Sequence, residues 1–198
     1  DTNAALLSVF TPRRERFKGQ IGEAYGREAF TTSDTYAGIR IACNPMRGGT
    51  MKITGIGTLF NASGTLTLKL YNSLNVKIGD DITVNVSNGF TLNTLTTAIE
   101  LPMYVNFDDK HEYFLVYTFN QSNAARINTV GSCCGFVPRY DTGNPMWGAG
   151  HSGSRAWANW IMVGGWTGNT LTEFDQCSQT STTRMNGLAL QVELGCDV

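Results

Sequence analysis

An all-β fold, with two antiparallel sheets stacked face to face, is what this sequence predicts, and three observations carry the prediction. Apolar and polar residues alternate at period two in most runs between Tyr36 and Leu194, the spacing of strands that bury one face. The breaks between those runs are filled by Gly, Asn, Ser and Thr, which favour turns. Charged residues make up 16% of the chain, against a usual share of about 25%, and the composition suits strands better than the Ala, Leu, Glu and Lys of helices. A length of 198 residues suits roughly one domain and buries a core without help.

Residues 1–35 show no sustained period and read as an N-terminal docking arm, with the sandwich domain expected over 36–198. In the arm, Leu6, Leu7, Val9 and Phe10 form an apolar patch, Pro12 breaks it, and Arg13, Arg14, Arg16, Phe17 and Lys18 follow. Leu6, Leu7, Phe10, Arg13, Arg14, Arg16 and Phe17 are therefore the expected partner contacts, with a solvated leader as the alternative.

The strands follow in order. Ile39, Ile41 and Cys43 share one face; Met51 and Ile53 begin a second strand, and Gly55 throws Ile56 out of step, which predicts a β-bulge or sheet corner. Leu66, Leu68 and Leu70 face one way against Thr65, Thr67 and Lys69. Val76 and Ile78 read as a short strand, then Ile82, Val84 and Val86 as another. Ile99 to Phe107 keeps period two, and Pro102 marks it as an edge strand. Glu112 to Phe119 is apolar on both sides, so it should be central, and Leu188 to Leu194 alternates cleanly. That gives about eight strands at the spacing of a sandwich or barrel, jelly-roll-like first. From about 123 to 186 the alternation fades for too long to be a plain loop, which marks a long insertion expected to contain short strands.

All four Trp, at 147, 157, 160 and 166, fall within twenty residues of that insertion, among Gly148, Gly150, Gly153, Gly164 and Gly165, with Arg155 as the only cation. Trp147, Trp157, Trp160 and Trp166, with Arg155, are a candidate platform for a sugar ring or a protein partner. The competing expectation is that the indoles fill the open end of the sandwich.

Several motifs nearly fire. Gly148 to Gly153 matches G-x-G-x-x-G but lacks a preceding strand and a following helix. His151 between Gly150 and Ser152 does not complete a nucleophile elbow. The pairs Asp80-Asp81 and Asp108-Asp109 sit in expected turns, where turn chemistry explains them better than a Ca²⁺ site. Five Cys, at 43, 133, 134, 177 and 196, contain no C-x-x-C; a zinc site from Cys133 or Cys134 with Cys177 and His151 has the wrong spacing, and free thiols are expected. No catalytic residue, metal or cofactor is assigned. A net charge of -1 argues against nucleic acid as partner, and no apolar run is long enough to span a membrane as a helix.

Tyr36-Ala-Gly-Ile-Arg-Ile, Met51-Lys-Ile-Thr-Gly-Ile-Gly-Thr-Leu-Phe and Leu66-Thr-Leu-Lys-Leu-Tyr-Asn72 resemble the opening strands of jelly-roll modules in carbohydrate-binding proteins and in particle proteins of tailed bacteriophages. Thr11-Pro-Arg-Arg-Glu-Arg-Phe-Lys18 is similar in style to the docking arms of phage structural subunits. The resemblance implies a non-catalytic structural or assembly module, a virion tail or capsid-accessory protein. Its partners would be other subunits, copies of itself included, and it would be found in the virion or outside the cell after cytosolic folding. The alternative is a carbohydrate-binding or host-attachment module that meets a glycan through the tryptophans.

Overall fold

The structure, a computed structural model, describes residues 14–26, 28–43, 50–102, 112–120, 125–128, 161–172, 174 and 184–197. These residues hold nine strands and no helix: β1 (Arg14–Ile21), β2 (Tyr36–Cys43), β3 (Thr50–Phe60), β4 (Gly64–Asn72), β5 (Ile82–Val86), β6 (Gly89–Pro102), β7 (Glu112–Thr118), β8 (Ile161–Gly168) and β9 (Leu188–Asp197). They form two antiparallel sheets, β1-β9-β3-β6 and β5-β4-β7-β2-β8, packed as a sandwich.

The pairing is nested. Strand β1 pairs with β9, β2 with β7, β3 with β6, and β4 with β5, as if one long hairpin had been rolled up, and β8 adds to the remaining side of β2. The core lies between the sheets: Ile39, Ile41, Leu68, Leu70 and Leu115 from one meet Met51, Ile53, Ile56, Leu190 and Val192 from the other, and all are buried.

The register shift expected at Gly55 is present. Between Ile53 and Gly55 the ladder slips against both β6 and β9, and the slip allows Ile53 and Ile56 both to face inward. On β6 the slip is larger, since Ile53 pairs with Ile99 while Gly55 pairs with Thr94. Pro102 does lie on an edge strand, and β7 is the middle strand of its sheet.

The structure departs from the sequence reading in three places. Arg14–Ile21 of the arm is strand β1, paired along its length with β9. Four of its eight residues are charged, which hides the alternation but suits an edge. Val76–Ile78 is not a strand. Asn72 folds the chain back instead: its side-chain oxygen accepts the backbone N–H groups of Leu74 and Val76, both at 3.0 Å, leaving one isolated bridge from Tyr71 to Lys77. Residues Phe90 to Ala98, passed over in the sequence because Thr and Asn interrupt any apolar period, belong to the long strand β6.

One side of the sandwich is closed by a side chain. The carboxamide of Asn93 on β6 accepts from Asn85 N at 2.8 Å and donates to Asn85 O at 2.9 Å, so it stands in for a missing neighbour strand beside β5. Asn93→Ala leaves both backbone groups of Asn85 without these partners and should lower stability by about 1–3 kcal/mol. The check is urea unfolding, where the midpoint should fall with the slope unchanged; an unmoved midpoint would show that the bridge carries no energy.

Candidate contact surfaces

Four of the residues expected to make contacts lie among the described residues, three on β1 and one on β8. Of the arm set, Arg14, Arg16 and Phe17 lie on β1, whereas Leu6, Leu7, Phe10 and Arg13 lie outside the described residues, as do Trp147, Arg155, Trp157 and Trp160. Cys133, Cys134, His151 and Cys177 also lie outside them.

Trp166 is placed, and it is not a platform. It sits on β8 opposite Gly38 of β2, a glycine whose Cβ would collide with the backbone of Leu115 on the neighbouring β7, and it is 1% exposed. An indole sealed to that degree has no face to offer a sugar ring.

Trp166 instead belongs to a second hydrophobic cluster. Strand β7 sends Leu115 and Tyr117 into the main core and Phe114 and Val116 to its opposite face, where they are as deeply buried. On that face Phe174 stacks on Phe114 at 4.5 Å between ring centroids and meets Trp166 and Tyr71, each at 5.1 Å. Contacts of this geometry contribute about 0.5–1.5 kcal/mol each beyond their area. The chain after β8 is held there by Phe174 N donating to Asn75 Oδ1 at 3.1 Å, and Asn75 occupies the left-handed region at φ 62. Beside the aromatic rings on the same strands, Arg40 grips Glu112 through two hydrogen bonds, Nε to Oε2 at 3.0 Å and Nη2 to Oε1, with both side chains 11% exposed.

A buried polar turn leads into β9. Asn186 and Gly187 both have positive φ, 50 and 78, and Leu188 N donates to Met185 O at 3.1 Å, the geometry of a tight left-handed turn. Asn186 Nδ2 donates to the carbonyls of Gly38 and Trp166 at 3.0 and 3.1 Å, and Tyr117 Oη donates to Asn186 O at 2.9 Å. Asn128 completes the group: its Oδ1 accepts from Gly187 N at 2.8 Å and its Nδ2 donates to Leu188 O at 2.7 Å. The sequence reading missed these residues, although the Asn-Gly pair just ahead of the last alternating run was a turn signal.

The most exposed large apolar side chains among the described residues are Leu74 at 70%, Tyr25 at 61% and Val76 at 55%. Leu74 and Val76 share the β4–β5 connection, in which Lys77 pairs with Asp81 four residues on. That hydrogen bond raises the Lys77 pKa and lowers that of Asp81.

No family model, curated protein or solved structure matches this chain.

Burial raises the pKa of the Tyr117 phenol above its ordinary 10.0. Near pH 10 the unfolded chain loses that proton while the folded chain keeps it. Stability from this group is therefore complete below about pH 10 and declines above it by about 1.4 kcal/mol per pH unit. Tyr117→Phe should remove that decline and cost about 1 kcal/mol at neutral pH through the lost bond to Asn186 O. Urea midpoints of both proteins across the alkaline range test this, and identical alkaline slopes would refute it.

Proposed function

We propose that this chain is a non-catalytic structural subunit of a larger protein assembly, a bacteriophage virion protein of the tail or capsid-accessory kind, built on a jelly roll. The observation that carries the reading is the nested pairing of β1 with β9, β2 with β7, β3 with β6 and β4 with β5. It corresponds to the strand order of double-sheet jelly rolls, an architecture found in virus capsid and lectin domains. A fold hosts many functions, so the choice between assembly and sugar binding rests on side chains. Trp166 is consumed by the outer cluster, which takes one of the four indoles from the sugar platform and favours assembly. The partners in this reading are other subunits, copies of the chain among them, and its place is the virion after cytosolic folding.

In this reading the contacts come from segments beyond the sandwich body, the leading residues 1–13 first. Deleting 1–13 leaves β1 and the rest of the described sandwich in place. The truncated protein should unfold at the same temperature as the full chain yet fail to enter the assembly that the full chain forms, as followed by sedimentation and native mass spectrometry. Assembly at full strength without these residues would overturn the role of the arm. Quenching of Trp fluorescence by an added glycan would instead bring back the sugar reading.

A further inference from the structure

The described residues contain two Asn-Gly pairs, Asn88-Gly89 and Asn186-Gly187, and the fold treats them in opposite ways. In such a pair the glycine has no Cβ to obstruct its own backbone nitrogen, which can attack the preceding side-chain amide carbon. Whether it does so depends on the freedom of the amide and on what polarises its carbonyl.

At Asn186 every group needed is restrained. The side chain is buried, its Nδ2 is bound to two carbonyls, its Oδ1 has no donor, and the attacking group, Gly187 N, donates to Asn128 Oδ1 at 2.8 Å.

At Asn88 the arrangement favours reaction. Asn88 is exposed, and Gly89 is the first residue of β6, where a ladder opens most easily. Gly89 has φ 119, and the space where a Cβ would stand is open to at least 4 Å. The guanidinium of Arg126 donates to Asn88 Oδ1 at 2.7 Å. A cation at that oxygen draws electrons from the amide carbon and stabilises the negative charge that develops there as the nucleophile adds. Arg126 is itself placed by its backbone N–H, which donates to Leu59 O at 2.8 Å.

We propose that Asn88 is a site of spontaneous covalent modification, converting to aspartate and isoaspartate through a cyclic imide, with Arg126 as its electrophilic partner. Gly89 N forms a bond to Asn88 Cγ, its proton passes to the departing amide, and the Cγ–Nδ2 bond breaks to release ammonia. Water then adds to either imide carbonyl and opens the ring, leaving a carboxylate at 88 or a backbone rerouted through the side chain. One water is consumed, one ammonia is released, and no oxidant is needed. The carboxylate formed faces the Arg126 cation, which converts a neutral contact into an ion pair and favours the product.

The test is to age the whole folded protein in mildly alkaline buffer and to map its peptides by mass spectrometry, with isoaspartyl methyltransferase labelling to report the isomer. The peptide containing Asn88 should exchange NH₂ for OH and take up label, while the peptide containing Asn186 stays unchanged. In chaotrope the Asn186 peptide should convert too, and far faster than in the folded chain. Arg126→Gln should slow conversion at Asn88 several-fold, and Arg126→Lys should restore part of the rate, with unchanged thermal unfolding certifying both variants. An inert Asn88 in the folded chain would overturn the site. A rate that holds or rises in Arg126→Gln would overturn the role of Arg126, because the guanidinium would then only anchor the amide.

Discussion

The two sheets are tied together at one turn, and most of the described structure is arranged around it. Asn186 ends the approach to β9, a strand of the four-stranded sheet, yet its side chain bonds carbonyls of β2 and β8 in the other sheet. Tyr117 of β7 reaches the same residue, and Leu59 of β3 donates to Gly187 O at 2.8 Å. Five strands from both layers therefore meet at two residues. Hydrophobic contact alone would let the sheets slide or rotate, because it has no direction. Directed bonds inside a low-dielectric core specify one arrangement, since any other leaves polar groups buried and unpaired. The space is equally specified: a Cβ on Gly165 would stand 2.7 Å from Asn186 Oδ1, and one on Gly187 would stand 2.4 Å from the Ala125 Cβ.

The same sheet is covered on its outer side. Because β7 is apolar on both faces, leaving Phe114 and Val116 in water would expose a broad hydrophobic surface of the kind that promotes association. Phe174 and Leu171 fold back from the end of β8 to cover it, and Trp166 is drawn into the same cover. An aromatic residue committed to shielding a sheet is not available to bind a ligand. The cluster thus covers with a few aromatic and apolar side chains a sheet face that would otherwise stand in water.

What the sequence made legible follows from how each signal arises. Alternation at Leu66–Leu70 survives because one face is buried and the other more exposed, whereas at Leu188–Val192 it is visible although Ala189 is buried along with the larger side chains; Gly55 marked its bulge because the period changed phase there. Strand β6 was half visible: its Thr and Asn residues serve as strand formers and as hydrogen-bonding groups, as Asn93 does, and neither role leaves an apolar rhythm. Strand β1 was hidden by charges that an edge tolerates, and β8 by Gly164 and Gly165, the second of which sits where a Cβ would meet the Asn186 side chain and Arg184 O. The Asn-Gly turn at 186 was legible, but the buried hydrogen bonds of Asn128 and Asn186 were not, because partners lie 59 and 148 positions away. Of the four tryptophans grouped along the chain only Trp166 lies among the described residues, and there the strand register turns its side chain into a sealed cluster.

The free edges of the sandwich bear on how such a domain would meet its neighbours. An open strand edge invites another strand to pair with it, and proteins that avoid this block the edge. Here the block differs at each one. Strand β1 carries Arg14, Glu15, Arg16 and Lys18; β5 has its outward backbone groups at Asn85 taken by Asn93; β6 bulges between Thr94 and Ile99. On β8, Val163 to Thr167 are all buried. Among the described residues, each of the four edge strands thus carries a feature that disfavours pairing with a further strand. The β4–β5 connection is a surface of another kind: Asn72 and Asn75 hold its backbone, and Leu74 and Val76 are left facing solvent.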